Sequence, residues 1–383
     1  MMGKPKIRFK GYNEDWEQRK LGEVFTEYSE KNHTELPALT IIQGGGTVRR
    51  EESDRNLMYD KSNLSNYKMV HKNDFIVHLR SFEGGLEISS LDGIISPAYH
   101  TFHGDKVDSR FYYPYFRSHE FIKHKLVPHV YGIRDGRSID IVGMNTIEIP
   151  YTSLEEQRKI GDYLESLDHL ITLHQHKCDE MKKLKKYMLQ KMFPQNGKKV
   201  PEIRFDGFTN DWEQRKLGDV VEFLDTMRKP LEGAKRISGP YPYYGASGIV
   251  DYVDGYLFDE ELVLLSEDGA NITDRNYPVC FLASGKYWVN NHAHVLKTKG
   301  GNENNFICNS LERKDYKQYN SGMAMPKLNQ EVCRGIPISC PSFDEQKKIG
   351  DYFRNLDHLI TLHQHKCDEL QNLKKYMLQN MFV

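Results

Sequence analysis

Two long stretches of the chain share one pattern of apolar and polar positions. In residues 155–193 a predicted seam residue recurs every seven positions, and residues 344–382 keep the same frame. Neither stretch contains proline, and charged residues occupy many of the remaining positions. A heptad pattern of this kind is typical of helices that pair as a coiled coil. The predicted seam residues are Ile160, Leu167, His174, Met181, Met188, Ile349, Leu356, His363, Leu370 and Met377.

The length of these stretches sets what the helices can do. At 1.5 Å per residue, about 38 residues form a rod of roughly 57 Å. Two such rods in one chain most simply bury their apolar stripes on each other. The alternative is two separate amphipathic helices, each lying on its own domain.

The long stretch is one of two internal repeats. A shorter repeat pairs residues 7–24 with 203–220, while the regions 25–150 and 221–340 show no obvious mutual similarity. Because an extra copy of the short repeat stands at the N-terminus, we expect that arm to pack beside the C-terminal helix. The predicted organisation is an N-terminal arm (1–24), a first variable domain (25–152), a first long helix (153–194), a linker with the second short repeat (195–220), a second variable domain (221–341) and a second long helix (342–383).

Each variable region has the pattern of a mixed α/β (α+β) domain. Short apolar runs at 74–79, 145–151 and 262–266 are bounded by turn residues and predict strands. Residues 109–126 have a partly helical pattern. The glycine cluster at 43–48 lacks the strand–GxGxxG–helix context of a cofactor site and is interpreted as a flexible loop.

Composition narrows the class of protein. No apolar run is long enough to span a membrane, and the N-terminal residues do not resemble a secretory signal. The six cysteines are scattered without a C-x-x-C pair, which favours reduced thiols and a cytoplasmic location. The formal net charge is −1, so overall charge does not indicate a nucleic-acid partner.

No catalytic motif stands out. A P-loop, an H-E-x-x-H motif and an N-P-P-[YF] motif are all missing from the sequence. The repeated segment HQHKC raises the alternative of a zinc site, because His174, Cys178, His363 and Cys367 would form a Cys2His2 set in antiparallel helices. We favour the interpretation that these residues belong to the helix seam and predict no metal.

A DNA-binding function would depend on local groups, since both variable regions are slightly acidic. Candidate positions are cationic, amide, hydroxyl or aromatic residues in predicted loops. In the first region they are Arg49, Arg50, Arg80, Arg134 and Arg137. In the second they are Arg228, Lys229, Tyr243, Tyr244, Ser247, Asn290, Asn291, His292 and Lys327.

The combined motifs resemble those of the specificity subunit of type I DNA restriction-modification systems. The resemblance rests on DWEQRKLG at 15–22 and 211–218, and on the helix starts EEQRKIGDYLESLDHLI and DEQKKIGDYFRNLDHLI. The segments IEIPYTSLEEQ and IPISCPSFDEQ precede the helices, and segments at 84–102 and 288–299 are also similar. Coverage extends over essentially the whole chain.

The resemblance implies two target recognition domains that each read half of a bipartite, asymmetric site in double-stranded DNA. The two long helices would form an antiparallel coiled coil that sets the spacer, within a circular arrangement with approximate two-fold symmetry. The chain would catalyse nothing. It would recruit two methylation subunits and two restriction subunits, in a complex that uses S-adenosylmethionine, ATP and Mg. The competing hypothesis is a two-module scaffold that binds proteins; a duplicated enzyme is disfavoured because the variable regions share no repeated catalytic set.

Overall fold

The computed structural model describes residues 5–53, 61–132, 138–195, 197–233 and 236–382. The chain divides into two compact units. The first comprises Met1–His174 with Lys366–Val383, and the second comprises Gln175–His365. Each unit therefore contains one variable region and a part of both long helices.

The described residues in the first half of the chain form the following labelled strands and α-helices, of which the last is a long helix. They are β1 Glu17–Lys20, α1 Leu21–Val24, β2 Thr26–Tyr28, β3 Leu39–Ile42, β4 Gly46–Arg49, β5 Lys68–Val70, β6 Phe75–Val77, α2 Ser81–Gly84, β7 Glu87–Ile88, β8 Gly93–Ile95, β9 His100–His103, α3 Ser109–Phe116, β10 Val130–Tyr131, β11 Ser138–Ile139, α4 Ile141–Met144, β12 Glu148–Tyr151 and α5 Leu154–Lys191.

The second half repeats this beginning and this end. Its elements are β13 Glu213–Lys216, α6 Leu217–Val220, β14 Val221–Phe223, β15 Ser238–Gly245, β16 Gly248–Val253, β17 Phe258–Asp259, β18 Leu262–Ser266, α7 Asn271–Asp274, β19 Cys280–Ala283, β20 Lys286–Val289, β21 Ala293–Thr298, α8 Asn304–Glu312, α9 Gln330–Arg334, β22 Pro337–Cys340 and α10 Phe343–Met381. The mixture of helices and sheets confirms the predicted fold class.

The strand and helix predictions differ from the structure mainly at element ends. The run at 262–266 is β18, and the run at 74–79 contains the shorter β6. The strand predicted at 145–151 begins only at Glu148, because Asn145 caps α4. In the predicted helical stretch, α3 ends at Phe116 and a π-helical turn follows at Phe121–Leu126.

The two units contain equivalent antiparallel sheets. The order is β2-β9-β6-β7 in the first unit and β14-β21-β18-β19 in the second. In both sheets the strand that comes last along the chain, β9 or β21, lies between the two strands that come first and second along the chain. Two sequences without obvious similarity have therefore formed the same sheet topology.

Each unit adds further strands to this shared sheet. The first has the pairs β3–β4, β5–β8 and β10–β11, and the second has the four-stranded sheet β16-β15-β20-β17. Within that sheet β15 pairs with β20 in parallel. The short repeats pair with the strand before each long helix, as β1–β12 and β13–β22. The short-repeat pairs are therefore equivalent in the two units, and the two variable regions diverge in the other added strands.

A buried carboxylate joins the short repeat to the long helix in the first unit. Glu156 has no exposed surface. It accepts hydrogen bonds from Arg8 Nε at 2.6 Å and Nη2 at 2.8 Å, and from Trp16 Nε1 at 3.1 Å. The hydroxyl of Thr152 donates to the same carboxylate. The ion pair is therefore fully hydrogen-bonded, as burial of charge requires.

The second unit repeats this junction. Arg204 donates to Glu345 from Nε at 2.7 Å and from Nη2 at 2.8 Å, and Trp212 Nε1 donates to it at 3.3 Å. Pro341 stands where the first unit has Thr152, so no hydroxyl completes this carboxylate. The residues DWEQRKLG thus repeat because each copy forms one half of the same junction.

Within each unit the two long helices run antiparallel. In the first, Lys374 pairs with Asp168, and the Cys367 thiol lies 4.0 Å from the Ile171 carbonyl oxygen. The amide of Ile7, in the N-terminal arm, donates to the Asn380 carbonyl at 3.0 Å. The N-terminal arm therefore contacts the C-terminal helix, as the repeat order predicts.

The second unit shows the same helix pairing. Lys185 Nζ lies 2.6 Å from Asp357 Oδ1, and the Cys178 thiol lies 3.9 Å from the Ile360 carbonyl oxygen. Higher numbers on one helix match lower numbers on the other. None of the helices in the described part of the chain combines the length and apolar character needed to cross a membrane.

The predicted seam residues are buried or half-buried, but not all of them lie between helices. Ile160 packs in the globular core of the first unit, and Ile349 in that of the second. The fully buried members are Ile160, Leu167, Ile349, Leu356 and Leu370, and the half-buried members are His174, Met181, Met188, His363 and Met377. The beginning of each helix thus anchors a domain, and the heptad frame continues beyond it.

Candidate nucleic-acid interface

A buried carboxylate organises the loops at one end of the first unit's sheet. Glu87 has no exposed surface and accepts hydrogen bonds from the amides of Gly44 at 2.6 Å and Gly46 at 3.3 Å. The Tyr113 hydroxyl donates to it at 2.8 Å, and Arg117 pairs with it. Burial raises the pKa of Tyr113, so its hydroxyl remains a donor. The glycine cluster is therefore an anchored β3–β4 turn, which corrects its interpretation as a flexible loop.

Two of the predicted arginines of this unit extend into solvent. The side chain of Arg49 is 55% exposed, and that of Arg80 is 70% exposed beside Glu83 at 3.0 Å. Both could reach phosphates or base edges. Arg134 and Arg137 lie outside the described residues.

Arg50 has a different environment. It is half-buried and donates to the Tyr67 hydroxyl at 3.4 Å. Tyr99 lies next to this pair, and its ring is 6.1 Å from that of His78. Burial lowers the pKa of His78, which favours the neutral ring. Aromatic and cationic groups thus lie together between Arg50 and Arg80.

In the second unit, four separate segments meet at the residues that follow β18. The amide of Glu267 donates to the His292 carbonyl at 2.9 Å, and the Glu267 carbonyl accepts from the Leu328 amide at 2.7 Å. The Gly269 amide donates to the Pro326 carbonyl at 3.0 Å. These main-chain bonds fix the β20–β21 turn and the 320–329 segment against the end of β18.

Side chains complete the same junction. The Glu267 carboxylate forms ion pairs with Arg228 Nη1 at 2.7 Å and with Lys327 Nζ at 3.2 Å. The Ser266 hydroxyl donates to the carbonyl of Ala246, in the β15–β16 turn. The four segments predicted from the second region are therefore neighbours, although they are spread over residues 228–329.

The structure separates the predicted residues into buried and exposed groups. The side chain of Arg228 is 11% exposed, Tyr243 is 1% exposed and Asn290 is 6% exposed. Tyr244 is half-buried, with its ring stacked on Phe281 at 5.9 Å. In the free chain these four residues support the loops, and their predicted role as base contacts gains no direct support.

The remaining predicted residues of this unit face solvent. His292 is 49% exposed with Nδ1 2.9 Å from Asp268, and Lys327 is 45% exposed. Lys229, Ser247 and Asn291 are also exposed. Together they present cationic, hydroxyl, amide and imidazole groups at one edge, which is the chemistry that reads nucleic acid.

The two candidate surfaces occupy equivalent ends of equivalent sheets. In the first unit Val77 pairs with His100, and Arg80 follows directly after that end of β6. In the second, Leu265 pairs with His294, and Glu267 follows that end of β18. The same topological position thus carries the candidate residues in both units.

A family model described as type I restriction modification DNA specificity domain matches residues 13–183 and again residues 209–372. These two matches cover most of the chain. The chain belongs to this family.

Curated relatives share this description. A type I restriction enzyme specificity subunit assigned in Haemophilus influenzae is 34% identical over 154 residues, covering 40% of this chain and 39% of the relative. The MjaVIII type I restriction enzyme specificity subunit of Methanocaldococcus jannaschii is 22% identical over 199 residues, covering 49% of this chain and 44% of the relative. The chain thus spans less than half the length of both relatives.

A solved structure has the same fold. The S subunit of a type I restriction-modification system from M. genitalium superposes with a TM-score of 0.68 at 16% identity, covering 100% of this chain and 99% of that chain. The likeness extends to both specificity domains.

Sequence reasoning missed the residues that hold the second specificity domain's loops. His294 is 1% exposed, with Nδ1 2.7 Å from Asp225 and Nε2 2.7 Å from the Leu328 carbonyl oxygen. Burial by itself lowers the pKa of His294, but the hydrogen bonds to Asp225 and Cys333, together with the charge of Asp225, outweigh burial and raise the pKa to about 10. Because both partners are acceptors, the charged ring with two N–H groups fits this position.

Glu267 and Asp268 were also missed, although a signal existed. They directly follow the buried run LVLLS and precede Gly269. Carboxylates at the end of a buried strand, before a turn glycine, are placed to hold neighbouring loops. Searching strand ends for acidic residues would have found this junction.

The specificity domains show no metal centre in the described residues. No group of three or more His, Cys, Asp or Glu side chains there is placed to hold an ion. Cys178 and Cys367 are each 1% exposed. Their thiols lie against main-chain carbonyls of the facing helix, which fits the seam interpretation of the HQHKC segment.

Proposed function

We propose that the chain is the DNA sequence-recognition subunit of a type I restriction-modification complex. Each specificity domain reads one half of a bipartite, asymmetric site in double-stranded DNA. Because DNA is its target, the chain acts in the cytoplasm. The observation that carries the proposal is the convergence of four distant loop segments on Ser266 and Glu267, with their exposed polar groups on one edge.

The edges are chemically suited to DNA. Exposed cations such as Arg80 and Lys229 can contact phosphates or base edges, while Asn291 can donate to and accept from a base edge. The carboxylates of Glu87 and Glu267 hold the loops from inside the domains, so the exposed groups are positioned before DNA binds. Preorganisation of this kind lowers the entropic cost of binding.

The chain itself catalyses no step in this proposal. It recruits two methylation subunits, which use S-adenosylmethionine, and two restriction subunits, which use ATP and Mg. The near-identical long helices support a pair of equivalent docking surfaces, since residues 167–180 recur without change at 356–369. The competing protein scaffold is disfavoured by the membership of both halves in a DNA specificity family.

The test is selection from a randomised double-stranded DNA library by the full chain in complex with its methylation subunit. A two-part motif with an indifferent spacer is expected. Arg80→Ala should weaken one half-site only, by roughly 5- to 150-fold at the base pairs it contacts. Asn291→Ala should weaken only the other half-site.

The matched control is Lys106→Ala, an exposed cation beyond the opposite end of β9. It should leave both half-sites unchanged. Binding without sequence preference in the wild-type complex would refute the proposed function. Equal effects of Lys106→Ala and Arg80→Ala would refute the placement of the interface.

A further inference from the structure

An exposed apolar tip stands next to the polar edge of the second unit. Met323 is 104% exposed, the highest value for a large apolar side chain in the described residues, and Met325 is 60% exposed. Single exposed apolar residues are common on protein surfaces. Two of them on one short loop, beside groups suited to DNA, call for a closer examination.

The loop is braced from within. The side-chain oxygen of Asn320 accepts from the amides of Gly322 and Lys327, both at 2.9 Å, and the Ser321 amide donates to the Lys327 carbonyl at 2.9 Å. A Cβ on Gly322 would lie 1.8 Å from the Met325 carbonyl oxygen, so only glycine fits. These bonds close the base of the loop and leave its tip in solvent.

The base of the loop is part of the Glu267 junction. Pro326 accepts from Gly269 at 3.0 Å, and Lys327 pairs with Glu267 at 3.2 Å. Lys327 also forms a β-bridge with Asp268, whose carboxylate lies 2.9 Å from His292. The methionine tip is therefore held beside the imidazole and ammonium groups of the candidate interface.

The surroundings decide between possible occupants of the tip. An apolar protein partner would favour an apolar surface around the tip, whereas the polar groups of Lys327, His292 and Asp268 lie at the base of the loop. DNA offers the matching combination: phosphates for the Lys327 ammonium group, and apolar thymine methyl groups and base faces for the methionines. Methionine is flexible and polarisable, which suits contact with flat aromatic rings.

We propose that Met323 and Met325 are specificity-determining residues that contact bases of the half-site read by the second unit. This inference rests on the proposed function. The contact is apolar, and the braced loop delivers it at a fixed place relative to Asn291 and His292. Base pairs that present a methyl group or that unstack easily are favoured at this place.

The test is the same library selection, performed with paired substitutions in the full chain with its methylation subunit. Met323→Gln with Met325→Gln keeps side-chain length and removes apolar character. We expect it to reduce the preference at one or two adjacent base pairs of one half-site by about 10-fold or more. The other half-site is an internal control and should not change.

Two further variants separate apolar contact from general damage. Met323→Leu with Met325→Leu should retain preference within about threefold, since leucine conserves the apolar surface. Gly322→Ala keeps both methionines but displaces the loop, and should reproduce the loss caused by the glutamines. The glutamine and leucine double variants should unfold at the wild-type temperature, because both methionine side chains are exposed.

Three results would overturn the inference. They are an unchanged motif in the glutamine variant, a leucine variant that loses as much base preference as the glutamine variant, and a loss of base preference at both half-sites. A wild-type complex that selects no two-part motif would instead refute the proposed function.

Discussion

Glu156→Gln tests how the short repeat stabilises the first unit. The carboxylate has no exposed surface, and it accepts from Arg8, Trp16 and Thr152. Glutamine has nearly the same shape. It removes the negative charge and directs an amide N–H toward the donors of Arg8, whose side chain is only 14% exposed.

The cost follows from the buried cation left behind. Removing one partner of a buried ion pair costs about 3–5 kcal/mol. The remaining exposure of Arg8 and the retained amide oxygen place the expected loss at the lower end, about 3 kcal/mol. This equals roughly a 150-fold change in the unfolding equilibrium of the first unit.

The measurement is urea unfolding followed by pulsed hydrogen exchange and mass spectrometry, which reports on each unit separately. Peptides from residues 5–24 should lose protection at lower urea, while peptides from residues 213–340 should not change. Glu155→Gln is the matched control, because Glu155 lies on the same helical turn and is exposed. It should shift stability by no more than about 0.5 kcal/mol. Equal effects of the two substitutions would refute the reasoning.

Three further predictions concern other parts of the fold. The folded pKa of His294, about 10, lies above its unfolded value of about 6.5, so its stabilisation is complete below about pH 6.5 and is lost as pH rises through about 10. The urea midpoint of the second unit should fall more steeply from pH 6 to 10 in the wild type than in His294→Gln, and parallel curves would contradict this. Gly85→Ala should lower the free energy of unfolding by about 1–3 kcal/mol more than Gly197→Ala, measured by thermal unfolding. Both glycines have φ near +80°, but only a Cβ on Gly85 would meet a carbonyl oxygen, at 2.2 Å. Equal losses would argue against that contact. A double-mutant cycle of Lys185→Gln and Asp357→Asn should give a coupling energy of about 0.2–1 kcal/mol, since both groups are partly exposed. This coupling energy should weaken in 1 M salt. A coupling energy that does not depend on salt would exclude an ion pair.

The set of interface residues predicted from the sequence was incomplete for a physical reason. Residue type predicted which side chains could touch DNA, but burial depends on packing between distant segments. Tyr243 and Asn290 have suitable chemistry, yet Tyr243 accepts from the Leu231 amide and Asn290 from the His292 amide inside the domain. Met323 and Met325 lack polar groups, so a search for polar readers passed over them.

The repeated frame of this protein is encoded in its sequence. Heptad spacing and repeat order predicted the long helices, the burial of their apolar stripes on each other and the contact of the N-terminal arm with the C-terminal helix, because these follow from local periodicity and from the position of repeated segments. The antiparallel direction of the helix pair was implied by the family resemblance. The tertiary structure was needed to show that both variable regions form the same sheet, and that Glu87 and Glu267 hold the loops at its equivalent end. Those features depend on pairing between distant residues, such as Thr26 with His103 and Glu267 with Leu328, and no local pattern encodes them.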